Sequence, residues 1–151
     1  MYQRILIPLE HSAYDAGILA HVRQLAQLCG SSLVLLHVAD GWAARNAQQL
    51  ALRESEELAR DRAYLEATCA RLRADGFTAD AVLAAGDPAA EICAAADRER
   101  CDLIAMATHG HTGLQDLLYG ATANSVRHKT MVPVLMVRGP ALGAAVADGP
   151  S

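Results

Sequence analysis

Five short runs of consecutive apolar residues punctuate the chain, and stretches of helical periodicity lie between them. The runs are Arg4–Leu9, Leu33–Val38, Phe77–Ala85, Asp102–Met106 and Val132–Val137. They are continuous rather than alternating, the pattern of parallel strands covered on both faces. Pro8 must close the first run, because an interior proline would lose a ladder hydrogen bond. Ser12, with Asp15 three residues on, reads as a capping box opening a helix. Ile18, Val22, Leu25 and Cys29 keep one helical face, and Gly30 is placed to stop it. A longer helix spans about 43–75, with Leu58, Leu65, Cys69 and Leu72 inward and Glu56–Arg60 and Arg62–Glu66 as solvated i,i+4 pairs. Gly86-Asp87-Pro88 is a helix entry, with Asp87 as N-cap and Pro88 in the first turn. Ala121–Lys129 supplies the last helix, and 139–151 is a patternless Gly/Ala/Pro tail.

Strands alternating with helices predict an α/β fold: a doubly wound five-stranded parallel sheet, Rossmann-like, with helices on both faces. Ligands of such sheets bind beyond the carboxyl ends of the strands, where the strand order reverses. The loops after strands one and four, around Glu10 and Gly110, are therefore the expected walls of a site. Length changes the picture little: 151 residues suit one domain with its own core. A net charge of −4 argues against a general nucleic-acid surface. No apolar run approaches the ~20 residues of a membrane span, and the first segment is too short for a signal peptide. A cytoplasmic protein is expected. Cys29, Cys69, Cys93 and Cys101 form no C-x-x-C pair and read as small buried hydrophobes.

The stretch most suited to chemistry is Met106–Thr122, where a strand runs through Gly110, Gly113 and Gly120 into a helix. That order can place backbone N–H groups around a phosphate. Neither a P-loop nor a glycine-rich first turn is present: Leu9-Glu10-His11-Ser12 holds no glycine. His109 and His111 flank Gly110, but as metal ligands they lack further partners and read as polar residues beside a phosphate. His37, at a strand end, reads as a hydrogen-bonded packing residue. Arg127-His128-Lys129 suits the dipole of a last helical turn. No nucleophile elbow appears. A nucleotide hydrolase would need a positioned water and charge stabilisation, for which no residues stand out, so at most slow ATP hydrolysis is expected.

Ile5-Leu6-Ile7-Pro8 with an acid two residues on, Leu36-His37-Val38, Gly86-Asp87-Pro88, Asp102 through Gly110, and Val132–Val137 occur in an order that resembles the universal stress protein family. The likeness covers residues 1–138 as one domain. It implies strand order 3-2-1-4-5, a homodimer paired through strand five (Val132–Val137), and, in some members, ATP. The family's motif is a glycine, two residues, a glycine, nine residues, then glycine with a hydroxyl residue. Here those places hold Ala107, Gly110, Gly120 and Ala121, and the acid is Glu10 where the family has aspartate. By resemblance, Pro8 and Glu10 lie near adenine and ribose, Val38 and Met106 line the base, and Gly110, Gly120, Ala121 and Thr122 meet the phosphates. His109 and His111 stand beside them, and Mg2+ or Mn2+ accompanies the nucleotide. The resemblance thus implies a stress-response protein that binds ATP, ADP or AMP for regulation. The alternative is a nucleotide-free dimeric interaction protein of the same fold, favoured by the two alanines. If Ala107 stands where a positive φ is needed, it costs about 1 kcal/mol; otherwise its methyl group crowds the ligand.

Overall fold

The structure is a computed structural model that describes residues 1–40, 47–109 and 114–139, with the backbone alone at 40, 47–55, 109 and 114–120. Its elements are β1 (Arg4–Pro8), α1 (Asp15–Cys29), β2 (Ser32–Asp40), α2 (Ala47–Ala74) and β3 (Ala79–Gly86). There follow α3 (Pro88–Arg98), β4 (Leu103–His109), α4 (Leu114–Lys129) and β5 (Val134–Gly139). The five strands form one parallel sheet in the order β3-β2-β1-β4-β5.

Each apolar run sends alternate residues to opposite faces, as strand geometry requires. Ile5, Ile7, Leu33, Leu35, Leu103 and Ala105 meet α1 and α2 on one side. Leu6, Val34, Leu36, Ile104 and Met106 meet α3 and α4 on the other. Gly30 ends α1 in the left-handed region (φ 69°), its N–H bonded to the Ala26 carbonyl at 2.8 Å. Asp87 caps α3 by accepting the Ala90 N–H at 3.0 Å, with Pro88 behind it. Gly86, at φ 139°, holds the preceding turn; a Cβ there would lie 2.8 Å from the Glu91 carboxylate.

Four details differ from the sequence reading. Ser12 and Asp15 make only half of a capping box: Asp15 Oδ2 accepts the Ser12 N–H at 3.3 Å, but α1 begins at Asp15 and its N-cap, Tyr14, has no side-chain cap bond. The Ser12 Oγ instead accepts from the Tyr14 N–H, because Asp15 is turned inward. Leu58 is 37% exposed, while Leu65, Cys69 and Leu72 are buried as expected, so among the described side chains of α2 the apolar contact with the sheet lies in its second half. Cys69 and Cys101 are buried, but Cys29 and Cys93 are only half-buried. Burial pushes the Cys101 thiol up to about 11, against a smaller opposing effect of Arg4. Finally, β5 starts at Val134, after Pro133, and takes in Gly139. The rest of the expected tail, 140–151, lies outside the described residues.

Candidate functional site

The sheet order reverses between β1 and β4, and the pairing there is short. Only Ile5↔Leu103 and Leu6↔Ile104 are in register, although β4 continues to His109. β1 stops at Pro8, which has no N–H for either neighbour, and the chain then leans toward β2 through a 2.7 Å bond from the Leu9 N–H to the Leu36 carbonyl. The two strands therefore part above Leu6, and a cleft opens between them.

Six of the residues expected from sequence line that cleft: Pro8, Glu10, Val38, Met106, Ala107 and Thr122. Its volume is ≈ 110 Å³. That is of the order of the roughly 150 Å³ cavity that takes a benzene ring, so it suits a flat ring rather than a whole nucleotide. Leu36, Ile92 and Met106 supply apolar walls, with Glu10, His37 and Thr122 as polar points.

Ala107 is buried within β4, paired to Val137, and has an ordinary strand φ. Positive-φ strain therefore plays no part at this position; only the bulk of its methyl group remains. The phosphate end differs more. α4 begins at Leu114, so Gly120, Ala121 and Thr122 sit in the body of the helix. There a backbone N–H bonds the carbonyl four residues back. Gly120 thus does not open the helix, Ala121 is exposed, and Thr122 is the member of that trio lining the cleft. Gly110 and His111 lie outside the described residues, as does the side chain of His109.

The β1–α1 loop is held by Asp15, a carboxylate that the sequence marked only as a helix-capping partner of Ser12. Asp15 is 1% exposed. It accepts the Glu10 N–H on Oδ1 at 2.9 Å, and the His11 and Ser12 N–H groups on Oδ2 at 2.9 and 3.3 Å. The Tyr64 hydroxyl of α2 donates to the same Oδ2 at 2.6 Å. Burial, and then the Asp15 carboxylate, push the Tyr64 phenol up, so it stays a donor. Successive N–H groups that could have cradled a phosphate are thus taken by the protein's own anion. Glu10 is steadied again by the Ser12 hydroxyl, which donates to its Oε2 at 3.0 Å.

Sequence reasoning also missed Leu36, Pro88 and Ile92 as cleft walls. The i,i+4 spacing of Pro88 and Ile92 was a usable signal; nothing in the sequence marked Asp61 or Tyr64, which read as part of a solvated helix. His37 is hydrogen-bonded as expected, its Nδ1 lying 2.8 Å from the Leu9 carbonyl, but it is a cleft residue too. Arg127 bonds Asn124 at 2.7 Å, and His128 and Lys129 are exposed beside it in the last turn of α4.

The profile of the universal stress protein family matches residues 1–138. The chain belongs to the universal stress protein family. It is 28% identical to universal stress protein MJ0577 of Methanocaldococcus jannaschii over 91% of this chain and 96% of that one. The solved MJ0577 structure superposes with a TM-score of 0.81 over 93% of this chain and 98% of that chain. Two more distant universal stress protein structures, each 19% identical with a TM-score of 0.67, share the fold. One, in complex with cAMP, is matched over 91% of this chain and 97% of its own. The other, from Archaeoglobus fulgidus in complex with dAMP, is matched over 89% and 97%. Among the described residues no helix is long and apolar enough to cross a membrane.

Proposed function

We propose that this universal stress protein binds an adenine nucleotide (ATP, ADP or AMP) in the cleft between β1 and β4, and that binding, not turnover, is its task. The observation that carries the reading is the convergence of Pro8, Glu10, Val38, Met106, Ala107 and Thr122 on one ring-sized cavity. The apolar walls suit a purine face, and Glu10 at the rim suits a ribose hydroxyl or an exocyclic amine. The cAMP and dAMP carried by two proteins of the same fold support the ligand class. In this reading Gly110, His111 and the Thr122 hydroxyl form the phosphate end, while Gly120 and Ala121 contribute only as part of the α4 turn that carries Thr122. No group of three or more His, Cys, Asp or Glu among the described residues could hold a metal ion. Mg2+ or Mn2+ would therefore arrive on the phosphates and keep its water.

The reading includes a cytoplasmic homodimer paired along β5. Among the described strands β5 pairs only with β4, which leaves an open edge, and Met136 is 40% exposed there. Val132 and Val134 are half-buried against the α3–α4 side, so the backbone edge matters more than an apolar stripe. Isothermal titration with ATP, ADP and AMP at millimolar concentration tests the ligand; heat is expected, and its absence for all three overturns the reading. Gel filtration with light scattering tests the dimer, which a monomer at micromolar concentration overturns.

A further inference from the structure

A second polar cluster lies against the cleft. The Asp61 carboxylate of α2 stands between two histidines, with Oδ1 2.7 Å from His11 Nδ1 and Oδ2 3.3 Å from His37 Nε2. His11 belongs to the β1–α1 loop and has a left-handed backbone (φ 63°), a conformation that costs a non-glycine residue strain. Its ring stacks on Tyr64, with centroids 4.1 Å apart and planes 18° from parallel. His37 lies on β2, lines the cleft, and is largely buried. Both of its ring nitrogens face oxygen acceptors, the Leu9 carbonyl and the Asp61 carboxylate. Only an imidazolium carries a hydrogen on each nitrogen.

One carboxylate thus ties α2 to the loop that carries Glu10 and to the cleft wall of β2. We propose that Asp61 is a positioning residue for the cleft and that His11 and His37 make its hold depend on protonation. With both imidazoles charged, the bridge closes and the Asp61–His11–His37 trio is net positive, offsetting part of the negative charge of Glu10 and Asp15 beside it. With both neutral, the trio is net negative and His37 has a single hydrogen for its two acceptors, the Leu9 carbonyl and the Asp61 carboxylate. An anionic ligand is held better in the first state. The other titratable groups facing the cluster are Tyr64 on α2, and Glu10 and Asp15 on the β1–α1 side. Burial and the Asp15 carboxylate push the Tyr64 phenol up, so it stays a donor, and the histidines set the switch.

The ligand half of this inference rests on the nucleotide reading, whereas the mechanical half does not, and two measurements separate them. Hydrogen–deuterium exchange compares the native chain with Asp61→Asn, and with Asp61→Ala as a second variant, at matched pH. Protection of the β1–α1 loop and of the middle of α2 should exceed that of either variant at about pH 5.5, and the excess should shrink by about pH 8. A merely structural aspartate would give a ratio independent of pH, and that result overturns the latch. The ligand probe is cAMP, whose phosphodiester does not titrate in this range. Its affinity for the native chain should fall by about five-fold or more between the two pH values, the low end of usual site-to-site coupling, and the fall should be smaller in Asp61→Asn, where the bridge is lost but the histidines remain. A pH-dependent exchange ratio with pH-independent cAMP affinity overturns the link to the cleft. Absence of cAMP and ATP binding at both pH values overturns the nucleotide reading instead, and the exchange ratio still decides the latch.

Discussion

Replacing Asp15 by alanine is the sharpest test of how the cleft is held. The side chain is buried and satisfies three backbone N–H groups and the Tyr64 hydroxyl. The 3.3 Å bond to Ser12 is long, so three good charge-assisted bonds remain to be counted. Each such bond contributes about 1.5–3 kcal/mol net, but the loop is only part-buried and water recovers some of the loss. Removing one partner of a buried charged network typically costs about 3–5 kcal/mol, and that range is expected for Asp15→Ala. Domains of this kind are stable by about 5–15 kcal/mol, so the variant should fold but with a small margin. Asp15→Asn keeps an acceptor for His11 and Tyr64 but turns an amide toward the Glu10 N–H, and should cost about 2 kcal/mol, near the cost of one unsatisfied buried donor. Tyr64→Phe should cost about 1.5 kcal/mol, the low end for a bond to a charged group. The Asp15→Ala/Tyr64→Phe cycle should show a coupling of about 1.5–3 kcal/mol. Urea unfolding followed by far-ultraviolet circular dichroism measures all four, provided the m-value holds constant. Asp15→Ala within about 1 kcal/mol of the native chain, below the cost of a single lost buried bond, would refute the reasoning.

Four further outcomes follow from geometry. Ala107→Gly should tighten adenine-nucleotide binding by removing a methyl group at the cleft, at a stability cost of about 0.5–1 kcal/mol for a glycine in a strand. Ala121→Ser should change affinity little, because the residue is exposed in the body of α4. A ten-fold gain in calorimetry from the serine would mean that the first turns of α4 unwind when ligand binds. Asp102 is held below the ordinary carboxylate range: burial opposes its charge, but the Gln3 and Arg4 N–H groups, at 2.9 and 3.0 Å, outweigh it. A folded value below the unfolded one stabilises above the unfolded value of about 4 and is lost as pH falls through the folded value. Asp102→Asn should therefore be less stable than the native chain at neutral pH, the difference vanishing in acid-titrated thermal melts. Alkylation of the native protein at neutral pH should spare Cys69 and Cys101, which are buried and whose thiols burial pushes upward; mass spectrometry of labelled peptides reads the result.

What the sequence disclosed follows from which interactions are local. Continuous apolar runs such as Ile5-Leu6-Ile7 and Leu33-Val34-Leu35-Leu36 declare strands buried on two faces, and alternation of strand and helix leaves few topologies. The turn at Asp87-Pro88 was legible because its capping bond spans three residues. The ties of Asp15 to Tyr64 and of His11 to Asp61 span 49 and 50 positions, and no periodicity marks them. The start of α4 was misplaced for a local reason. Gly120 was read as a helix-opening residue, whereas the six positions before it, Leu114 to Tyr119, already continue the helix.

The filled nest at the β1–α1 loop gives the cleft a direction. A bound molecule with an anionic tail finds the Glu10, His11 and Ser12 N–H groups on the β1 side already committed to Asp15, whereas on the α4 side it meets the Thr122 hydroxyl. A side chain that does not line the cleft thus decides which way round a ligand lies in it. Removing that carboxylate should do more than loosen a loop: it would free a second anion cradle, so that an added formate or acetate ion could restore stability to Asp15→Ala, or a ligand could bind in reverse.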